Sequence, residues 1–217
     1  MSIRGAIFDC DGTLTDSMYI WTRCGSIYLR YKGFEPPETI DESFLDFNLD
    51  KAVELVDRLY GIKTTPFDIL TDMFSACAEE YKNVKLLPGV KNTLDYFKDN
   101  GIKMAVATGT AEYIIRPSLD RLGVLPYFEA VYSAYEERTS KQFPDLFDKA
   151  AAAIGCERGE TLVFEDAFYA AKTAHDAGYI VVGIRNDEEM HSAELKNVSD
   201  YYIDNIDRII PVLEEIL

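Results

Sequence analysis

The chain has 217 residues, 47% of them hydrophobic, enough for one large domain, or a domain with an insert, to bury a core without disulfides. Lys and Arg total 22 against 38 Asp and Glu, and the net charge of −16 argues against nucleic-acid or anionic-lipid partners while leaving room for a carboxylate cation site. Four cysteines without a CxxC pair, no apolar run near the ~18 residues of a membrane span, and an opening MSIRGAIFDCDGT unlike a signal peptide lead us to expect a cytoplasmic protein with reduced thiols.

In chain order, residues 4–8 form a compact apolar run that stops at DCDGT, the pattern of a buried strand ending in a loop. Residues 17–86 lack strand-like runs. They carry helical patterns at 18–31, 49–60 and 67–81, punctuated by Gly33, Pro36, Pro37, Gly61 and Pro66. Strand patterns return at 102–107, 161–164 and 179–184, with weaker ones at 130–133 and 201–203. Between and after them lie helical patterns at 90–100, 111–122, 144–153, 169–177 and 206–217. This alternation predicts an α/β fold, a Rossmann-like parallel sheet with helices on both faces. The expected domains are a core of residues 1–16 and 87–217 and an inserted all-helical cap of 17–86.

Asp9 and Asp11 stand two apart at the end of the first strand, where an extended segment projects both to one side. Two close carboxylates repel unless a cation lies between them or one is protonated. Gly12 permits a tight turn, and Thr13 adds a hydroxyl. Open parallel sheets bind ligands at the carboxyl ends of their strands, where Glu165 and Asp166 supply a second acidic pair. Thr108, Gly109 and Thr110 end another strand and offer a hydroxyl and backbone N–H groups to an anion. Lys141 precedes the helix beginning near Pro144 and brings a fixed positive charge. Each feature has a plain alternative: a polar turn, a helix start, an N-cap, a solvated lysine. Their recurrence at successive strand ends favours one site. His175 and His191 are expected at the surface, and Cys10 is expected to point into packing.

Taken together, these motifs resemble those of the haloacid dehalogenase superfamily of phosphohydrolases. The likeness is to the helical-cap branch that includes β-phosphoglucomutase and phosphoglycolate-phosphatase-like enzymes. The resemblance implies Asp9 as nucleophile, Asp11 as general acid/base, Thr108 with Gly109 and Lys141 as phosphate-binding groups, and Mg²⁺ held by Asp9, the Asp11 carbonyl and Asp166, with Glu165 bound to the ion directly or through a water. Pro144, Asp145, Phe147, Ala174, Ala177 and Gly178 match further motif positions; Gln142, Ala167 and Ala170 depart from them without removing a catalytic group. The implied activity is Mg²⁺-dependent hydrolysis of a small phosphorylated metabolite, by a monomer or weak homodimer, without nucleic-acid or membrane partners. A phosphosugar mutase resembling β-phosphoglucomutase is the first alternative, and a catalytically weak binding or regulatory relative the second. Residues 39–48 of the cap contain no Gly, Lys or Arg, against the basic loop of sugar-phosphate relatives, which tilts the reading to hydrolysis. Lys32, Lys51 and Arg58 are the nearby cations.

Overall fold

The computed structural model describes residues 3–44 and 48–216, with side chains through Glu214. Met1 and Ser2 of the expected core, Leu45, Asp46 and Phe47 of the 39–48 stretch, and Leu217 of the last expected helix lie outside the described residues. The chain divides into two compact units, Met1–Asp16 with Lys85–Leu217, and Ser17–Val84.

The first unit holds a parallel sheet of six strands. These are β1 (Gly5–Phe8), β2 (Lys103–Thr108), β3 (Ala130–Ser133), β4 (Thr161–Glu165), β5 (Ile180–Ile184) and β6 (Tyr201–Ile203), in the spatial order β3-β2-β1-β4-β5-β6. The helices of this unit are α5 (Val90–Asp99), α6 (Glu112–Arg121), α7 (Asp145–Ile154), α8 (Phe168–Ala177), α9 (Ser192–Val198) and α10 (Ile209–Ile216). Every residue of β1, β4 and β5 is buried, as strands covered on both faces require, which is why their interiors read as apolar runs, in β4 between Thr161 and Glu165. On one face Phe8 stacks on Phe164 at 4.6 Å, and Phe97 of α5 lies 5.9 Å from Phe8. On the other, Ile7, Ala105, Val163 and Val181 pack with Ala150 and Ala151 of α7 and Ala170, Ala171 and Ala174 of α8. Small helix residues let these helices lie close to the strands. Gly5 meets the same demand: a β-carbon there would sit 2.9 Å from Ile154 Cδ1.

The second unit is helical: α1 (Met18–Trp21), α2 (Cys24–Tyr31), α3 (Leu49–Tyr60) and α4 (Pro66–Tyr81). Helix α3 starts where the Asn48 side chain accepts the Lys51 N–H at 3.0 Å, and ends at Gly61 in the left-handed region. Thr65 caps α4 in the same way, with Pro66 in its first turn. Tyr28, Leu29, Val56, Ile69, Met73 and Phe74 form its buried interior. The pattern over 18–31 resolves into two helices rather than one, because the chain tightens at Arg23, whose N–H bonds Ile20 O at 3.2 Å. Phe44 is buried, and a β-carbon at Gly25 of α2 would meet its ring at 2.7 Å, so it serves packing.

Where the chain returns, Lys85 and Leu86 join the sheet unit. Lys85 O accepts the Asp16 N–H at 2.9 Å, and Leu86 pairs with Thr15. Among the described residues no helix is long and apolar enough to cross a membrane.

Candidate active site

Strands β1, β2 and β3 run outward on one side, and β4, β5 and β6 on the other. The order therefore reverses between β1 and β4, the position where parallel sheets open a crevice at their carboxyl ends. Phe8 is in register with Phe164, so the residues that follow, Asp9 and Glu165, emerge side by side. The Asp9 N–H bonds Phe164 O at 3.0 Å, which anchors the loop as it leaves the sheet. Gly12 then turns the chain with φ 81°, and Leu14 and Thr15 send their N–H groups back to Cys10 O.

Asp9, Glu165 and Asp166 each offer one carboxylate oxygen within 4.8 Å of the others. Lys141 reaches into this cluster. Its ammonium lies 2.5 Å from Asp9 Oδ1 and 2.5 Å from Glu165 Oε1. The four side chains are almost fully enclosed, with Asp9 7%, Lys141 3%, Glu165 1% and Asp166 4% exposed. Lys141 was expected to face phosphoryl oxygens; here its ammonium bridges two carboxylates.

The remaining expected residues are placed as follows. Asp11 is partly exposed and stands outside the three-carboxylate cluster, its Oδ2 accepting the Thr110 hydroxyl at 2.6 Å. The two aspartates follow the end of β1, and their carboxylates take different partners, Asp9 the Lys141 ammonium and Asp11 the Thr110 hydroxyl. Thr108 is buried, and its Oγ accepts the Thr110 N–H at 3.1 Å. It caps no helix, since α6 begins after Ala111. Gly109 is exposed, with open space where a side chain would stand. Cys10 is buried with its sulfur 3.7 Å from the Thr15 hydroxyl. Burial, then the charges of Asp11 and Asp9, push its thiol well above the ordinary range, so it is no thiolate nucleophile. His175 and His191 are solvent-facing beside Asp176 and Glu194. In the helical unit Lys32 pairs with Asp72 at 2.5 Å, while Lys51 and Arg58 are exposed.

Burial and mutual repulsion dominate the electrostatics. Burial raises Asp9, against the opposing pull of Lys141. Burial pushes Glu165 up to about 8, and burial with the charges of Asp9 and Glu165 carries Asp166 well above its usual value. Burial alone would depress Lys141, but the Asp9 and Glu165 carboxylates outweigh it and hold the amine above its ordinary range. With all three carboxylates ionised, one ammonium would leave two negative charges uncompensated, the charge a divalent cation supplies. Glu165 Oε2 is buried without a hydrogen-bond partner. A buried carboxylate oxygen left bare costs free energy that coordination would recover. The hard oxygen donors suit Mg²⁺.

Two polar partners went unassigned in the sequence reading: the Thr110 hydroxyl on Asp11, and Asn186, whose Nδ2 donates to Asp166 Oδ2 at 2.7 Å. Asn186 follows β5 by two residues. The strand-end argument that singled out Glu165 and Thr108 would have reached it.

A curated phosphoglycolate phosphatase from Nitrosococcus oceani is 26% identical over 182 residues, 81% of this chain and 81% of that protein. Hexitol phosphatase A from Escherichia coli is 27% identical over 187 residues, 85% of this chain and 84% of its own. The crystal structure of β-phosphoglucomutase from Clostridium difficile superposes with a TM-score of 0.75 at 20% identity, covering 98% of this chain and 96% of that one. The profile of the haloacid dehalogenase-like hydrolases matches residues 3–178. With that match running from the first strand through the acidic pair to the end of α8, the chain belongs to the haloacid dehalogenase-like hydrolase family and is an enzyme of it.

Proposed function

We propose that this chain is a Mg²⁺-dependent phosphatase that hydrolyses the phosphate monoester of a small metabolite through an aspartyl-phosphate on Asp9. One observation carries the reading. Asp9 sits at the reversal point of the sheet, held by Lys141 and flanked by Glu165 and Asp166.

A phosphate monoester asks chiefly for positioning and charge stabilisation. Asp9 attacks phosphorus through a carboxylate oxygen as the bond to the leaving alkoxide breaks. Asp11, its carboxylate oriented by the Thr110 hydroxyl at 2.6 Å, gives the alkoxide a proton. It then takes one from the water that cleaves the aspartyl-phosphate. The Thr108 hydroxyl and the Gly109 N–H bind phosphoryl oxygens, and Lys141 holds the Asp9 carboxylate in place. Asp9, Glu165 and Asp166, with the main-chain carbonyl of Asp11, would hold Mg²⁺, which when bound supplies positive charge against the phosphate oxygens.

The phosphatases among the relatives support hydrolysis. The absence of Gly, Lys and Arg from residues 39–48 weighs against the mutase alternative. The intact set Asp9, Asp11, Glu165 and Asp166 weighs against a purely binding or regulatory role. The partner is a small phosphorylated metabolite, and the working form a monomer or weak homodimer without nucleic acid or membrane. The test is a panel of phosphate monoesters assayed in Mg²⁺ and in EDTA, beside a coupled assay for conversion of β-glucose 1-phosphate to glucose 6-phosphate. Phosphate release should vanish in EDTA, return with Mg²⁺ and exceed isomerisation. Full activity in chelator would reject the cation, and dominant isomerisation would replace hydrolysis by the mutase reading.

A further inference from the structure

We propose that Asn186 is a positioning residue for the cation site, fixing the Asp166 carboxylate for coordination; the proposal rests on the cation reading above. The side chain has two ends and both are engaged. Its Nδ2 donates to Asp166 Oδ2 at 2.7 Å, while its Oδ1 accepts the Glu188 N–H at 2.9 Å. The opposite amide orientation would set carbonyl against carboxylate and N–H against N–H, so the network fixes which end faces Asp166.

The loop that carries Asn186 is tied down twice more. Glu189 Oε2 accepts the Phe168 N–H at 3.2 Å, at the start of α8, and Glu189 Oε1 accepts the His191 N–H at 2.7 Å. The segment after β5 is thereby clamped to the turn that presents Asp166. Asp166 needs such a donor. It is buried beside Asp9 and Glu165, and Lys141 makes its ion pairs with those two. The Asn186 amide occupies one oxygen of Asp166 and sets the carboxylate plane. The other oxygen is left to the cation. Removing a hydrogen-bond partner of a metal-ligating side chain ordinarily weakens metal binding 10- to 100-fold.

The test uses Mn²⁺ as the probe, with free ion counted by electron paramagnetic resonance in titrations of the full-length protein. Asn186→Ser is the informative variant. Serine accepts the Glu188 N–H in the same kind of turn but is too short to reach Asp166. Asn186→Ala removes both bonds, and Glu188→Ala, in the same loop, controls for loop perturbation. Both Asn186 variants should bind Mn²⁺ at least ~10-fold more weakly than wild type, with Glu188→Ala within about twofold. At saturating Mg²⁺ the substrate KM should stay near the wild-type value while the apparent Mg²⁺ constant rises. Wild-type affinity in correctly folded Asn186→Ser would overturn the role of Asn186 and leave the cation site standing. Failure of the wild-type protein to bind Mn²⁺ would overturn both readings.

Discussion

Lys141 carries one positive charge into a pocket that holds three buried carboxylates. The consequence is a pH dependence of stability with a definite sign. Asp9, Glu165 and Asp166 bind protons more tightly in the folded chain than in the unfolded one. The folded state therefore holds more protons between the ordinary carboxylate range near pH ~4 and the value of about 8 for Glu165, and stability falls as pH rises across that window. A divalent cation removes the repulsion and favours the ionised forms. In EDTA the thermal midpoint should drop as pH rises through this window, and added Mg²⁺ should raise the midpoint more at its upper end than at its lower end. Glu165→Gln should flatten the decline. A midpoint that climbs with pH in EDTA, or a Mg²⁺ increment independent of pH, would contradict this account of the pocket. At this scale the sequence was informative about which groups gather but not how they pair. Asp9 and Lys141 are 132 positions apart, and Thr110 and Asp11 are 99 apart. Only the strand order decides that these side chains meet.

Among the elements, α7 and α8 are joined by a polar fastening at the end of the sheet away from the pocket. Arg158 grips Asp148 of α7 with Nε at 2.8 Å and a terminal nitrogen at 2.5 Å, and bonds the Ala177 carbonyl of α8 at 3.0 Å. The Tyr179 hydroxyl donates to the same carboxylate at 2.8 Å. The Arg158 hydrogen bonds lead in lowering the Asp148 pKa, with Tyr179 assisting and partial burial opposing them. A depressed carboxyl stabilises the fold above its unfolded pKa, and that contribution is lost as pH falls through the folded value. Asp148→Asn should cost about 1–2 kcal/mol at neutral pH by urea denaturation, discounted for the open surface of the pair. The gap from wild type should close in acid. A gap that stays constant down to the lowest pH at which the chain folds would remove the charge from the explanation. The strands themselves were legible because apolar runs such as 161–164 end abruptly in acidic or hydroxyl residues. Helix α9 was not, because Leu195 is the one residue of its seven that is buried, leaving almost no periodic stripe to read. The split of 18–31 into α1 and α2 was equally hidden, since the tightening falls at Thr22 and Arg23 while Gly25, the one Gly or Pro of that stretch, lies inside α2.

On the scale of the molecule, a chain of net charge −16 handles a dianionic group only if local charges override the surface. The sheet order gathers the Thr108 hydroxyl and the Gly109 N–H onto the edge that bears the carboxylates, and since Lys141 is paired with Asp9 and Glu165, the overriding positive charge in the proposed reaction would come from the divalent cation. A parallel sheet was legible from alternation of strands and helices. Its reversal between β1 and β4, which makes Asp9 the neighbour of Glu165, was not, because alternation alone is silent on spatial order. The central claim is that Asp9 becomes covalently phosphorylated. Asp11→Asn keeps the nucleophile and removes the proton shuttle, so water should attack the intermediate slowly and phosphoenzyme should accumulate from an activated aryl phosphate or acetyl phosphate. Intact-protein mass spectrometry after rapid acid quench, with peptide mapping, tests this most directly. The account predicts one added phosphoryl group on Asp9 in Asp11→Asn, and none in Asp9→Asn. A phosphoryl group mapped to another residue, or retained undiminished in Asp9→Asn, would contradict it.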